Sequence, residues 1–207
     1  MDSMSKIGLL LGSFNPIHIG HLSMASHVIG AKLCDKVLFV VAKQNPWKKH
    51  GTTDFKLRCQ MVEAAIRPFK GSCELSTVED GISEPSYSYK AIERLKMAFP
   101  NDELYLILGT DTIENVHKWK NFKDKILPYV HFIEIARRKT NDIATDETII
   151  MKGKSEYIGE YDIITPNIID TSSTMIRKRI MDNMPIYPFV TEEVQKIIIE
   201  NNLYNNG

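Results

Sequence analysis

Two histidines near the N-terminus, His18 and His21, have the spacing in this chain that best suits phosphate chemistry. Residues three apart at a helix start lie on one face, so both imidazoles can point into the preceding turn at Gly12. Glycine lets the backbone approach an anion closely, and the free N–H groups of a helix start point at it. These residues indicate a phosphate-binding turn with two imidazole side chains. The structural alternative is a loop histidine, a helix-cap histidine and an ordinary glycine turn.

A second group with related chemistry lies near the C-terminus. Ser172, Ser173 and Thr174 precede a helical pattern, and Arg177 follows within its first turn. Hydroxyl and N–H groups at a helix start bind phosphate oxygens, and an arginine one turn later can close on them from the same end. Taken alone, the segment is more simply a helix cap followed by a solvated basic helix. Taken with the first group, it indicates a second phosphate contact.

Apolar runs predict the strands and helices that must position these residues. Strands are predicted at 7–11, 36–42, 75–78, 104–108, 130–136 and 161–165. Helices are predicted at about 20–33, from a cap at Thr53 or Asp54 to 66, from 88 to about 99, at 175–181 and at 191–201, with short pieces over 112–128. The alternation is typical of an α/β protein with a doubly wound, mainly parallel, Rossmann-like sheet. Right-handed crossovers would bring the loops after strands 1, 2, 4 and 5 to one edge.

The domain organisation and two local features complete this prediction. One domain over 1–207 is expected, because this length supports one full core, with about 171–207 as its C-terminal helical part. Residues 139–160 are polar and irregular, with one short helix expected over 146–152. Arg58 is interpreted as an exposed ion-pair residue on the second long helix.

The composition limits the classes of partner. The formal net charge is zero, so no large electrostatic field favours nucleic acid or a membrane surface. Three scattered cysteines, an odd number, indicate reduced packing thiols, and no spacing suits zinc. A cytoplasmic location is expected by default, and a nuclear one stays open. A homo-oligomer also stays open.

Both groups of residues resemble known motifs. The stretch GSFNPIHIGH, residues 12–21, resembles the G-[ST]-F-x-P-x-H-x-G-H signature of the nucleotidylyltransferase superfamily. Residues 171–177 resemble its I-S-S-T-x-I-R motif, with Thr171 where isoleucine is usual. The resemblance implies an enzyme that joins a phosphate-bearing acceptor to the α-phosphorus of a nucleoside triphosphate and releases pyrophosphate. The letters HIGH also occur in class I aminoacyl-tRNA synthetases, but 207 residues are expected to be too few for such an enzyme.

The middle of the chain resembles the nicotinate and nicotinamide mononucleotide adenylyltransferases, and among them the bacterial-type, nicotinate-preferring branch. Residues 85–88 are similar to the P-S-Y-T element that lines the pyridine pocket, and Gly109-Thr110-Asp111 is similar to G-[ATS]-D, whose aspartate holds a ribose. Trp119 falls at the position of the tryptophan beside the pyridine ring. Arg137 matches the arginine that ends the next strand, although Arg138 replaces the usual proline.

The resemblance implies a specific set of site residues. The catalytic residues would be His18, His21 and Arg177. ATP would contact Gly12, Ser13, Phe14, His18, Gly20, His21, Gly109, Asp111, Arg137, Ser172, Ser173, Thr174 and Arg177. The mononucleotide would contact Ser13, Phe14, Asn15, Lys48, Lys49, Tyr87, Ser88 and Trp119. Magnesium would arrive with ATP, and no protein metal site is expected.

The implied reaction is adenylyl transfer from ATP to nicotinate mononucleotide, with nicotinamide mononucleotide as a second acceptor to be tested. Two alternatives stay open. One is a phosphopantetheine-type adenylyltransferase, and the other is a nucleotide-binding module on the same fold that has no turnover.

Overall fold

A computed structural model of the chain describes residues 4–44, 53–82, 85–136, 149–166 and 171–205. Within these residues, seven strands form one sheet in the order β3-β2-β1-β4-β5-β7-β6. The strands are β1 Lys6–Gly12, β2 Lys36–Val41, β3 Cys73–Ser76, β4 Glu103–Gly109, β5 Val130–Ile135, β6 Ile149–Ser155 and β7 Gly159–Thr165. The α-helices are α1 Ile19–Gly30, α2 Phe55–Ile66, α3 Ser88–Ala98, α4 Thr110–Ile113, α5 Phe122–Lys125, α6 Ser173–Met181 and α7 Glu192–Glu200.

The sheet is parallel except for its last pair, β6 and β7, which run antiparallel. The central strands are apolar on both faces, as parallel strands covered by helices require. One apolar cluster includes residues of α1, α2, α6 and α7, and a second includes residues of α3 and α5. The predicted doubly wound, mainly parallel α/β sheet is confirmed.

The sheet places the ends of its central strands side by side. Strand β1 lies between β2 and β4, with Gly12 opposite Val41. The Ala42 N–H, directly after β2, donates to the Gly12 carbonyl at the end of β1 at 2.8 Å. The carboxyl ends of β1, β2 and β4 therefore meet at one edge, which is where open α/β sheets bind ligands.

The prediction of a short helix over 146–152 is wrong. Residues 149–155 form the edge strand β6, which pairs antiparallel with β7; residues 146–148 lie outside the described residues. Ile149, Ile150 and Met151 are all exposed, by 44–50%. A strand exposed on both faces shows no period-two alternation, so its sequence pattern did not identify it.

No helix in the described ranges combines the length and the apolar character needed to cross a membrane.

Candidate active site

The turn after β1 is built around the buried ring of Phe14. Phe14 has a positive φ of 45° and is 2% exposed. A Cβ atom at Gly12 would lie 3.0–3.3 Å from this ring, so a side chain there would displace it. The ring also meets His21 edge-on, with centroids 4.9 Å apart. Gly12 is therefore needed for packing inside the turn, in addition to any close approach of an anion.

His18 and His21 lie together at the start of α1, as their spacing predicts. Their ring centroids are 3.7 Å apart, and the rings are inclined by 30°. The backbone N–H of His18 donates to His21 Nδ1 at 3.3 Å, which leaves Nε2 of His21 to carry the proton when the ring is neutral. His18 Nδ1 is buried and has no hydrogen-bond partner in the described part of the protein. A buried polar atom without a partner is expected where a ligand group completes the site.

Burial sets the charge of these two rings. It lowers the pKa of His18 to about 4. Burial also lowers the pKa of His21 well below its ordinary value, with a smaller contribution from the nearby charge of His18. Both imidazoles are therefore neutral near pH 7 in the free protein. A nearby polyanion would favour their protonated forms.

The second motif converges on the same turn. Arg177 Nη1 donates to the Asn15 carbonyl at 2.7 Å, and Ser173 Oγ donates to the Pro16 carbonyl at 2.8 Å. The other guanidinium nitrogen, Nη2, donates to Thr174 Oγ1 at 3.2 Å. These contacts bring together the two sequence motifs, since Asn15 and Arg177 are 162 positions apart.

Helix α6 begins at Ser173, two residues before the predicted start. Ser172 is its N-cap, and Ser172 Oγ accepts from the Met175 N–H at 3.1 Å. The first turn of a helix leaves backbone N–H groups without intrahelical partners. The Met175 N–H is already bonded to Ser172 Oγ, and Ser173 Oγ donates to the Pro16 carbonyl, so the N–H groups of Ser173 and Thr174 are the first-turn backbone donors that an anion could reach.

The third group of predicted residues lines a cavity beside the turn. The cavity measures about 590 Å³ and opens between the ends of β1, β2 and β4. It is lined by Gly12, Ser13, Tyr87, Ser88 and Trp119, and also by Leu11, Ala42, Glu79, Ser86, Thr112, Lys118, Lys120 and Ile126. Lys120 Nζ lies 4.3 Å from the centre of the Tyr87 ring. The lining combines aromatic rings and two exposed lysines with the buried carboxylate of Glu79, and such a cavity suits a flat aromatic ring.

Some of the remaining predicted site residues lie at helix starts near the site, and others lie outside the described residues. Gly109 ends β4 and caps α4, and Asp111 is exposed in α4. Gly20, in the first turn of α1, leaves room for the His18 ring. Lys48, Lys49 and Arg137 lie outside the described residues.

Arg58 was interpreted wrongly as an exposed ion-pair residue. It is 1% exposed, and burial lowers the pKa of its guanidinium. The guanidinium donates to four carbonyl oxygens: Nε to Thr53 at 2.8 Å, Nη1 to Ser13 and Ala42 at 2.7 Å each, and Nη2 to Lys43 at 2.9 Å. The signal was present in the sequence, because Arg58 precedes the buried residues Met61, Val62 and Ala65 by three, four and seven positions.

Tyr204 is a contact residue that the sequence did not indicate. Its hydroxyl donates to Asn15 Oδ1 at 2.8 Å across 189 positions, so a residue near the C-terminus supports the turn after β1. No local pattern could have identified this contact.

No group of three or more histidine, cysteine or carboxylate residues within the described ranges could hold a metal ion.

A Rossmann-like sheet whose carboxyl edge carries two converging motifs of the phosphate-binding type and an adjacent cavity is typical of a nucleotide-binding enzyme. The family model described as cytidylyltransferase-like matches residues 9–179. The chain belongs to this family, and within it to the nicotinate-nucleotide adenylyltransferases, as the similarities to curated proteins show.

The relatives match along nearly the whole chain. The "Nicotinate-nucleotide adenylyltransferase" of Bacillus subtilis is 32% identical over 204 residues, 98% of this chain and 100% of the relative. A "Probable nicotinate-nucleotide adenylyltransferase" of Flavobacterium johnsoniae is 34% identical over 200 residues, 96% and 98% of the two chains. The solved structure "Plasmodium falciparum nicotinic acid mononucleotide adenylyltransferase complexed with NaAD" has a TM-score of 0.75 at 21% identity, and 97% of each chain is covered. The sequence relatives confirm the family resemblance, and the solved structure confirms the fold.

Proposed function

We propose that this protein transfers the adenylyl group of ATP to nicotinate mononucleotide and releases pyrophosphate, a step of NAD biosynthesis. The observation that carries the proposal is the convergence of Arg177 and Ser173 on the turn that holds His18 and His21. The curated relatives with this name support the choice of reaction.

The reaction needs little covalent help from the protein. The acceptor's 5′-phosphate attacks the α-phosphorus in line with the departing pyrophosphate. A phosphate monoester has its second pKa near ~6 and is largely dianionic at neutral pH, so no general base is required. Positioning and stabilisation of charge on the transferring group then supply the rate acceleration.

We assign these tasks to the residues of the two motifs. His18 and His21 contact the α-phosphate and the bridging oxygens, because each imidazole has an N–H to offer an oxygen in either its neutral or its protonated form. Arg177 and Thr174 hold the departing β- and γ-phosphates together with the N–H groups at the start of α6. Ser173 contributes through its backbone, because its hydroxyl already donates to the Pro16 carbonyl.

Both nucleotides are proposed to meet at the turn formed by Gly12, Ser13, Phe14 and Asn15. Gly109 and Asp111 are proposed to contact the ribose of ATP, and Ser172 and Gly20 support the phosphate site by capping α6 and by leaving room for His18. Contacts from Lys48, Lys49 and Arg137 stay predictions. Magnesium would arrive with ATP, bound by phosphate oxygens and water, and would neutralise part of the phosphate charge.

The cavity beside the turn is proposed to receive the pyridine ring. Tyr87, Ser88 and Trp119 supply its aromatic and hydroxyl contacts, and Lys118 and Lys120 supply positive charge. A carboxylate gains more than a carboxamide from a nearby ammonium group, so these lysines favour nicotinate over nicotinamide.

We further propose one domain that works in the cytoplasm, where its three buried, unpaired thiols would stay reduced. Its partners would be small nucleotides, with no nucleic acid and no membrane. A homo-oligomer stays a prediction that size-exclusion chromatography with light scattering would test.

The deciding experiment is pyrophosphate release from Mg-ATP with nicotinate mononucleotide, nicotinamide mononucleotide or phosphopantetheine as acceptor. Release with nicotinate mononucleotide well above that with the other two acceptors would confirm both the reaction and the preference. Preference for the amide would keep the reaction and overturn the assignment of the pocket. Release only with phosphopantetheine, or ATP binding with no release from any acceptor, would contradict the proposal and favour the corresponding alternative.

A further inference from the structure

The buried guanidinium of Arg58 joins the end of β2 to the turn formed by residues 12–15, here called the phosphate turn. Its Nη1 atom bonds to both the Ser13 carbonyl in the turn and the Ala42 carbonyl directly after β2. These bonds lie just beyond the backbone hydrogen bond that joins the ends of β1 and β2, from the Ala42 N–H to the Gly12 carbonyl. Arg58 therefore fixes the distance between the segments that follow β1 and β2, at the point where sheet hydrogen bonds no longer join them.

The buried carboxylate of Glu79 binds the segment that follows β2 at its next residue, Lys43. Glu79 is 2% exposed, and its Oε2 accepts from the Lys43 N–H at 2.8 Å. Arg58 Nη2 donates to the Lys43 carbonyl, so both the N–H and the carbonyl of Lys43 are hydrogen-bonded to this pair of side chains. The Ser86 hydroxyl also bonds to Glu79, and the charge of Arg58 helps to keep the carboxylate ionised against the effect of burial, which raises the pKa of Glu79.

Ser86 links these hydrogen bonds to the cavity proposed to receive the pyridine ring, here called the acceptor cavity. Its hydroxyl accepts from the Gln44 N–H at 3.2 Å, and its own N–H donates to the Gln44 carbonyl at 3.3 Å. The next two residues, Tyr87 and Ser88, line the cavity. A continuous set of hydrogen bonds thus runs from Ser13 in the phosphate turn to the wall of the cavity.

We infer that Arg58 and Glu79 are positioning residues that set the distance between the phosphate turn and the acceptor cavity. The inference rests on the proposed function, because that distance matters only where two bound molecules must react. In-line attack requires the reacting atoms to be roughly 3–3.5 Å apart, and small displacements from this geometry are costly. Among the described residues proposed to contact ATP, only Ser13 bonds to this pair, through its carbonyl, whereas Glu79 and Ser86 themselves line the cavity proposed for the acceptor. Loss of the pair should therefore affect the acceptor more than ATP.

The experiment compares Arg58→Lys, Glu79→Gln and Glu79→Ala in the full chain. Lysine keeps the charge but cannot span four carbonyl groups in the planar geometry of the guanidinium. Glutamine keeps an acceptor oxygen for Lys43 but removes the charge. The control is Val28→Ala, a fully buried position in α1 that makes none of these contacts and lowers stability by removing core volume. Each protein is assayed for kcat, for both KM values, and for binding of ATP and of nicotinate mononucleotide by calorimetry.

We expect kcat to fall and the acceptor KM to rise, together by about tenfold or more in kcat/KM for Arg58→Lys and Glu79→Ala, with a smaller loss for Glu79→Gln. ATP affinity should stay within about twofold of the unmodified protein, and Val28→Ala should lower the unfolding temperature without this pattern. An equal loss of ATP affinity, an unchanged acceptor kcat/KM, or the same kinetic pattern in Val28→Ala would overturn the inference.

The proposed function can fail separately from this inference. If the unmodified protein binds both nucleotides but releases no pyrophosphate, the proposed reaction is wrong. Binding then decides the inference: Arg58→Lys and Glu79→Ala should weaken mononucleotide binding and leave ATP binding intact. Equal effects on the two ligands, or no effect on either, would refute it. If one of these two variants does not fold, Glu79→Gln and the other variant provide the comparison.

Discussion

Replacing Gly20 by alanine should displace the His18 imidazole while the fold is retained. A Cβ atom at Gly20 would lie 3.0 Å from His18 Nδ1, 3.1 Å from His18 Cε1 and 3.1 Å from Thr171 Cγ2. Ordinary van der Waals contact begins at 3.4 Å, so the ring or the threonine must move by a few tenths of an ångström. Alanine also favours the helix by up to ~1 kcal/mol relative to glycine, which offsets part of the cost of this movement.

The size of the expected effect follows from the role of the ring. Complete removal of a donor that acts in the transition state costs roughly 10²–10³ in turnover, and a displacement of about 1 Å can cost ~10²-fold. A displacement of a few tenths of an ångström should therefore lower kcat by about tenfold. The free energy of unfolding should change by less than ~1 kcal/mol.

The assay measures pyrophosphate release at saturating substrates and urea unfolding on the same preparations. Gly30→Ala is the matched control, because Gly30 is also in α1 and a Cβ atom there would meet no described neighbour within 4 Å. This control should keep full turnover. A kcat within twofold of the unmodified protein for Gly20→Ala would show that the position of the His18 ring does not limit the reaction.

Three further predictions concern the charges of the site. His18→Ala or His21→Ala should lower turnover by about 10²–10³ with the fold intact by circular dichroism; a rate within a few-fold of the unmodified protein would remove that histidine from the mechanism. Lys120→Gln should lower kcat/KM for nicotinate mononucleotide by up to about fivefold, as for a partly exposed charge pair, and leave the amide acceptor unchanged. Lys123→Gln is its control, since Lys123 is an exposed lysine of α5 that does not line the cavity; equal losses for both acceptors would contradict the selectivity. Finally, since the pKa of His18 is lowered to about 4, folding keeps this ring neutral while the unfolded chain takes up a proton near ~6.5. Stability should therefore fall by up to ~3 kcal/mol as the pH drops from about 6.5 to 4, less so in His18→Gln; equal urea midpoints across this range would refute the assignment.

The central strands could be predicted because they are continuous apolar runs bounded by glycine or polar residues. Strands β1, β2, β4 and β5 all appear within one or two residues of their predicted limits. Such runs bury apolar area on both faces wherever they lie in the sheet, so local composition is sufficient. Strand β6 is exposed at the edge, and its conformation depends on pairing with β7.

The sequence by itself determined the chemistry of the site, since the residue types and spacing of the two motifs indicated phosphate binding before any contact was known. Only the tertiary structure decided that Arg177 reaches Asn15, that Tyr204 supports the same turn, and which four carbonyl groups Arg58 meets on the buried face of α2. These contacts join residues far apart in sequence, and they depend on how the helices pack against the sheet. Local propensity carries no information about these contacts, because it does not say which distant backbone or side-chain group each residue will meet.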